Sequence, residues 1–226
     1  MKVQTIMQQI AGGVFMGKVI TIAREFGSGG RIIAQSLAEQ LKIGFYDKNL
    51  ITLAAERKNL PEERLERVDE RRENPWRYDM EDDIAIQRQF YYEPLNDVLF
   101  EAQSEIIKEK AETEDCVIVG RCADYALSEF DNMLSVFVHA DLEKRIRRVA
   151  RKNELTDATA KDRIQKTDKR RASYYNYYTS KKWGDAASYN LSLDSGVLGI
   201  DGCVQMIKKA IEIKEERLAK NNREVK

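Results

Sequence analysis

Residues 18–31, KVITIAREFGSGGR, decide the fold of this chain. The β-branched run at 19–22 predicts a buried strand, a glycine-rich turn follows it, and a helical pattern begins near Arg31. A strand, a glycine turn and a helix N-terminus together form a cradle for phosphate, because backbone N–H groups can turn inward around the anion and the helix dipole adds positive charge. The predicted phosphate-binding residues are Gly27, Ser28, Gly29, Gly30 and Arg31.

The loop departs from the common phosphate-loop pattern G-x-x-x-x-G-K-[ST]. If Gly29 is the last glycine, Arg24 stands at the first position, and Gly30 and Arg31 replace the lysine and the hydroxyl residue. If Gly30 is the last glycine, Arg31 replaces the lysine and Ile32 replaces the hydroxyl residue. The letters leave both registers open. They also leave open a strand–turn–helix that binds no ligand.

The composition narrows the class of protein. The chain has 226 residues, of which 42% are hydrophobic, which suits one domain with room for an inserted subdomain. Lys and Arg number 38 and Asp and Glu number 38, so the balance predicts no nucleic-acid partner. No apolar run approaches the roughly 20 residues of a membrane span, so we expect no membrane partner. The oligomeric state stays open.

The cysteines and the histidine point away from metal and histidine chemistry. Cys116, Cys122 and Cys203 are odd in number and widely spaced, so they match no zinc or disulfide framework and favour a reducing cytoplasm. The only histidine, His139, ends an apolar run, where we expect it to be packed. We therefore expect no metal site made of these residues and no histidine-based triad.

Short apolar runs alternate with helical patterns along the chain, which predicts an α/β fold with a mostly parallel sheet. After the first strand, the runs stand near 43–46 and at 116–120, 134–139 and 188–194. Residues 51–112 predict helices only, with a break at 74–79 and a long helix over 81–112 interrupted near Pro94. A last helix begins at Gly202. The predicted divisions are an extension at 1–17, a domain at 18–213, a helical insertion at 51–112, a lid at 157–184 and a charged tail at 214–226.

Polar residues stand where the predicted strands end. Asp47 follows the second strand, and Arg121 and Asp124 follow the third. Ligands of parallel sheets bind at the carboxyl ends of the strands, so these three residues are candidates for substrate binding. Asp124 has two open interpretations, which are contact with a nucleotide base and capping of the next helix.

The basic helix after Thr156 carries the candidate lid arginines. Arg163, Lys166 and Arg170 share one face, whereas Arg171 points about 100° away from Arg170. We therefore predict that Arg163, Arg170 and Arg171 act in phosphoryl transfer and that Arg170 is the catalytic one, with Asp168 orienting an arginine. The alternative is a solvated helix face. Since like charges repel until phosphates neutralise them, we expect the segment 157–184 to be mobile without ligand.

The assembled motifs resemble the cytidylate kinase-like family over about residues 18–213. The most specific stretches are ITIAREFGSGGR, FYDKNLI, VIVGRCADY, DKRRASYY and WGDAASYNLSLDSG, in that order. The resemblance implies a phosphate-loop kinase with a five-stranded parallel sheet, a nucleotide-binding insertion and an arginine-bearing lid. It implies ATP with Mg²⁺ as the donor and a CMP-type acceptor. It places Gly27–Arg31 at the donor, Asp47, Arg121 and Asp124 at the acceptor, and Arg163, Arg170 and Arg171 in the lid.

Three functions fit these observations. The first is transfer of the ATP γ-phosphoryl group to a nucleoside monophosphate, with Arg31 contributing charge in the transition state. The second is a non-catalytic nucleotide-binding or regulatory protein, because the lysine and the hydroxyl residue of the loop are absent. The third is a kinase for another small metabolite.

Overall fold

The computed structural model describes residues 17–70 and 95–224 of the chain. Its described part contains one five-stranded sheet in the order β2–β3–β1–β4–β5, and every neighbouring pair of strands is parallel. The strands are β1 Val19–Arg24, β2 Gly44–Tyr46, β3 Cys116–Val119, β4 Met133–His139 and β5 Leu191–Asp194. The predicted α/β fold with a parallel sheet is confirmed.

Helices cover both faces of this sheet, which explains why its central strands are apolar on both sides. The helices are α1 Gly30–Leu41, α2 Asn49–Lys58, α3 Glu62–Val68, α4 Leu95–Thr113, α5 Ala123–Ala126, α6 Leu142–Asn153, α7 Asp157–Thr179 and α8 Ser195–Glu224. On one face, Leu37 of α1 and Ile207 of α8 pack against β1 and β4. On the other face, Leu50 of α2 and Ile107 of α4 pack against β1 and β3.

The helical connection between β2 and β3 agrees with the prediction where it is described. Helix α3 begins directly after Pro61, and α4 corresponds to the second part of the helix predicted over 81–112. Residues 51–70 and 95–112 contain helices and no strand. The predicted break at 74–79 and the interruption near Pro94 lie outside the described residues.

Helices α6 and α7 form a pair beyond the carboxyl end of β4. The Asp141 side chain caps α6 by accepting from the N–H groups of Glu143 and Lys144, and Thr156 caps α7 by accepting from the Thr159 N–H at 3.3 Å. Ile164 of α7 is buried against Val149 of α6. The capping fixes where each helix starts, and the apolar contact fixes their mutual position.

The end of the chain differs from the prediction. The last strand starts at Leu191 rather than at 188, because Ala186–Ser188 forms a 3₁₀ turn capped by Asp185. The last helix begins at Ser195, bends at Gly199 (φ 69°, ψ 177°) and continues to Glu224, so the predicted tail is helical through that residue. Lys18 Nζ lies 3.2 Å from a Glu215 carboxylate oxygen. Within the described residues, no helix is both long enough and apolar enough to span a bilayer.

Candidate functional site

The glycine loop joins the carboxyl end of β1 to α1. Gly27 and Gly29 have φ angles of 81° and 88°, which favour glycine. A Cβ on Gly27 would lie 2.7 Å from Val149 Cγ2, and a Cβ on Gly29 would lie 2.6 Å from Ile200 Cδ1. Both positions therefore require glycine for conformation and for space.

The loop has backbone N–H groups that are available to a ligand. Among the described residues, the N–H groups of Gly27, Gly29, Arg31 and Ile32 have no hydrogen-bond acceptor. The Ser28 hydroxyl lies inside the loop, where it donates to the Glu25 carbonyl at 2.9 Å. Unused donors at a helix N-terminus suit phosphate oxygens, so the loop geometry fits the phosphate cradle that the sequence predicts.

Side chains from α6 and α7 hold the loop from outside. Asp168 Oδ1 accepts from the Phe26 N–H at 2.7 Å, and its Oδ2 accepts from Arg145 Nη1 at 2.6 Å. Arg148 Nη1 donates to the Gly27 carbonyl at 2.7 Å. Asp168 thus orients an arginine, as predicted, but that arginine belongs to α6. Sequence reasoning did not assign Arg145 and Arg148 to the loop.

Arg121 is the centre of a buried ion-pair network. Its side chain is 1% exposed, and its two terminal nitrogens donate to Asp47 Oδ1 at 3.1 Å and to Asp69 Oδ2 at 2.8 Å. The other Asp47 oxygen accepts from Arg31 Nε at 2.5 Å. Arg31 of the loop and Arg121 after β3, which the sequence suggested separately, therefore both bind the carboxylate of Asp47.

A second group of charges lies beside this network. Glu70 accepts from Arg24 Nη1 at 2.6 Å and from Arg171 Nε at 3.0 Å, and Arg171 Nη1 also lies 3.4 Å from the Arg24 carbonyl oxygen. We call Arg24, Arg31, Arg121 and Arg171 the arginine cluster.

Sequence reasoning missed three members of these networks, Arg24, Asp69 and Glu70. The only signal for Arg24 was its position at the end of β1, where the loop pattern has glycine. Asp69 and Glu70 stand in a densely charged run, and nothing in that run distinguishes them from solvated residues.

Burial and the arginines act on the carboxyl groups in opposite directions. Burial by itself raises the pKa of Glu70, but the positive charges of Arg24, Arg171 and Arg121 outweigh it and hold that pKa well below its usual value. For Asp47, burial is likewise outweighed by Arg121 and Arg24, so the pKa is lowered. Both carboxyl groups are therefore ionised at neutral pH.

Burial raises the pKa of Asp124 and also that of Asp69, in contrast to Glu70 and Asp47. Asp124 Oδ2 accepts from the Tyr175 hydroxyl at 2.7 Å. The residue before α5 is Cys122, whose side chain makes no capping hydrogen bond, and both interpretations of Asp124 stay open. Arg121 and Cys122 both have φ of 54°, a conformation that residues other than glycine seldom adopt and that often marks functional sites.

The three predicted lid arginines lie on different sides of α7. Arg163, Lys166 and Arg170 line a groove on the outer face, where Arg170 Nη2 lies 3.3 Å from the Thr167 hydroxyl. Arg171 points inward to the arginine cluster. The guanidinium groups of Arg163 and Arg171 lie 5.6 Å and 5.8 Å from the centre of the Phe26 ring in the loop. This placement favours Arg171 over Arg170, and the catalytic role of Arg170 stays a prediction.

The aromatic residues after these arginines attach α7 to the body of the protein. Tyr174 and Tyr175 are buried, and the Phe100 and Tyr178 rings stack with centroids 4.0 Å apart. Trp183 packs edge-on against Phe137 of β4 at 5.4 Å.

The donor set suits phosphate better than a metal ion. Asp47, Asp69 and Glu70 each accept from an arginine, and residues 17–70 and 95–224 contain no group of three His, Cys, Asp or Glu side chains arranged to hold a metal. In both registers of the loop, the hydroxyl position carries Arg31 or Ile32. These residues provide N–H donors and guanidinium groups that suit phosphate oxygens.

A parallel α/β sheet with a glycine loop and an arginine cluster at its carboxyl edge defines the class of this protein as kinase-like. The cytidylate kinase-like family profile matches residues 19–197, and the chain belongs to that family. A cytidylate kinase from Archaeoglobus fulgidus is 32% identical over 113 residues, which are 48% of this chain and 59% of the archaeal enzyme. The match therefore spans less than two thirds of that relative.

The chain is also similar to solved structures. An uncharacterized protein from Eubacterium ventriosum is 31% identical, with a TM-score of 0.64 over 86% of this chain and 98% of that chain. A shikimate kinase from Bacteroides thetaiotaomicron aligns over 86% of this chain and 98% of its own, at 16% identity and a TM-score of 0.48.

Proposed function

We propose that the protein transfers the γ-phosphoryl group of ATP to a nucleoside monophosphate, CMP or dCMP. The observation that carries this proposal is the meeting of the glycine loop, Asp47 and Arg121 at the carboxyl ends of β1, β2 and β3. In the transfer, the bond from the γ-phosphorus to the β,γ-bridging oxygen breaks, a bond to an acceptor phosphate oxygen forms, and ADP leaves. Such a transfer depends on alignment and positive charge more than on covalent chemistry.

Each part of the site has a role in this proposal. The N–H groups of Gly27, Gly29 and Arg31 bind donor phosphates. The guanidinium groups of Arg121 and Arg171 neutralise acceptor and transferred phosphoryl groups, and Asp124 accepts from a base amino group. Arg163 and Arg170 on α7 approach when the proposed lid at 157–184 closes over the insertion at 51–112. A closed lid would exclude water, so that the phosphoryl group goes to the acceptor.

Membership of a kinase-like family supports the use of ATP and Mg²⁺, and we propose that ATP with Mg²⁺ is the donor. The described residues contain no group of three His, Cys, Asp or Glu side chains arranged to hold a metal, and we assign no step to the metal ion. We also propose a cytoplasmic location, since the three cysteines are free and buried.

A panel of acceptors tests the proposal. The purified, folded protein is incubated with ATP-Mg and nucleoside monophosphates, and diphosphate products are measured. We expect the fastest turnover with CMP or dCMP. An Arg57→Ala variant is the control, because Arg57 pairs with Glu109 at the surface of α2, away from the loop. Failure to form any nucleoside diphosphate would contradict the proposal.

Two alternatives stand beside this proposal, and observations favour the first of them. The absence of the loop lysine and the pairing of Glu70 with two arginines favour a non-catalytic nucleotide-binding protein. Calorimetry that detects nucleotide binding without turnover would support that function. Turnover of ATP with a metabolite panel but with no nucleotide would instead identify a kinase for another small molecule.

A further inference from the structure

The Glu70 carboxylate lies between two guanidinium groups. Arg24 donates to both of its oxygens, with Nη1–Oε1 at 2.6 Å and Nη2–Oε2 at 3.4 Å, and Arg171 Nε donates to Oε2 at 3.0 Å. The three side chains are only 10–16% exposed. Guanidinium groups arranged around an oxyanion in this way are the usual means by which proteins hold a phosphate group. We call Arg24 and Arg171 the clamp.

Glycines keep the space for the clamp open. A Cβ on Gly120 would lie 2.0 Å from Arg24 Nη1 and 2.2 Å from Glu70 Oε1. A Cβ on Gly30 would lie 2.5 Å from the Arg24 Cβ. Glycine at these two positions, one in the loop and one after β3, therefore leaves room for the Arg24 side chain and the anion that it binds. The same cavity is lined by Arg121 and Asp124, which belong to the proposed acceptor side, and by Tyr175.

The backbone at Glu70 is unfavourable for its residue type. Its φ is 50°, in the left-handed region that glycine adopts easily and that glutamate seldom adopts. Contacts with the clamp therefore hold the carboxylate in a conformation that the local chain does not favour.

The charges show what the clamp would bind in place of Glu70. The four arginines of the cluster face three carboxylates, those of Asp47, Asp69 and Glu70, which leaves one excess positive charge. Withdrawal of the Glu70 carboxylate leaves two excess positive charges. A phosphate monoester carries a charge of about −1.5 to −2 at neutral pH, so it matches the clamp without Glu70.

We propose that Glu70 is a resident anion whose carboxylate holds the place of a substrate phosphate group and must leave the clamp when that group binds. This proposal rests on the proposed phosphoryl transfer in one respect only. The transfer identifies the phosphate group as one that belongs to the donor or to the acceptor. Because the carboxylate competes with the ligand, Glu70 lowers the apparent affinity of the clamp for phosphate.

Calorimetric titration of inorganic phosphate, CMP and ATP at one ionic strength tests this competition. Glu70→Gln removes the charge and keeps the shape of the side chain. We expect it to bind phosphate at least about tenfold more tightly than the parent protein. Glu109→Gln is the matched control, since it removes a carboxylate that pairs with Arg57 on the surface, and it should leave the affinity unchanged.

A double variant tests whether the clamp provides the gain. Glu70→Gln/Arg171→Gln keeps the first change and removes one guanidinium group, so the gain in phosphate affinity should be lost. Circular dichroism and urea unfolding establish that each variant is folded, and Glu70→Ala replaces Glu70→Gln if the latter is not. Folded variants without Glu70 that bind phosphate no more tightly than the parent protein would overturn the proposal. So would a gain that persists in the double variant.

The other two ligands identify the source of the phosphate and separate this proposal from the proposed function. A gain with CMP assigns the clamp to the acceptor, and a gain with ATP assigns it to the donor. Tighter phosphate binding in a protein that forms no diphosphate supports the resident anion and contradicts nucleotide kinase activity. If the parent protein forms diphosphate but Glu70→Gln changes no affinity, the kinase activity is supported and the resident anion is contradicted.

Discussion

Arg24 and Gly30 share one space at the start of the loop, because a Cβ at position 30 would lie 2.5 Å from the Cβ of Arg24. In the common loop pattern the first position is glycine and the seventh is lysine. With Gly29 as the last glycine, this chain has arginine at the first position and glycine at the seventh. The two exchanges are therefore coupled by sterics, and Arg24 brings a positive charge to the loop from the end of β1.

This coupling predicts the result of restoring the lysine. Gly30→Lys should lower the free energy of unfolding by about 1–3 kcal/mol, because the new Cβ overlaps the Arg24 side chain and β1 must shift. Urea unfolding measures the change. In an Arg24→Gly background the overlap is absent, so the same Gly30→Lys change should cost less there than in the parent protein. An unchanged stability of the single variant would show that the loop adapts without strain.

Arg31→Ala should affect turnover far more than stability. The Arg31 side chain is 59% exposed and pairs with Asp47 at the loop, so its loss should cost less than about 1 kcal/mol of folding free energy. Removal of a positive charge beside the transferred group should lower kcat/KM by an amount equivalent to about 2–4 kcal/mol. Steady-state kinetics and urea unfolding measure the two effects, with Arg57→Ala as the surface control. Unchanged kinetics would make Arg31 a surface helix residue.

Arg171 should contribute more to turnover than Arg170, which is the opposite of the sequence prediction. Arg171 contacts Glu70 inside the cluster, whereas Arg170 lies on the outer face near Thr167. We therefore expect Arg171→Ala to lower kcat more than Arg170→Ala does. Hydrogen exchange with and without a bisubstrate analogue shows whether residues 157–184 gain protection. A larger effect of Arg170→Ala, together with new protection there, would restore the original choice.

Arg121 should be necessary for folding as well as for binding. Arg121→Met leaves the carboxylates of Asp47 and Asp69 in a buried site without their shared cation, and loss of one partner of a buried pair costs about 3–5 kcal/mol. Thermal and urea unfolding measure this loss. Arg121→Met/Asp69→Asn removes one of the unpaired charges and should be more stable than the single variant. Equal stability would mean that water replaces the guanidinium group.

Acid should destabilise the protein through Glu70 and Asp47. The pKa values of both groups are lower in the folded state, so their contribution is present above the unfolded carboxyl pKa of about 4 and is lost as the pH falls below it. The free energy of unfolding should decrease from pH 5 downward, and the decrease should be smaller in Glu70→Gln. A parallel decrease in both proteins would show that Glu70 does not contribute.

The sequence by itself determined the sheet, the glycine loop and the strand-end positions of Asp47, Arg121 and Asp124. These depend on local patterns, since apolar runs form strands, glycines allow positive φ, and parallel strands bring their carboxyl ends to one edge. Tertiary structure alone decided which charges meet. Asp69 and Glu70 reach the arginines across large sequence separations, and Arg171 rather than Arg170 faces them because of how α7 is rotated against the body. Ion-pair partners depend on that packing, and no local pattern encodes it.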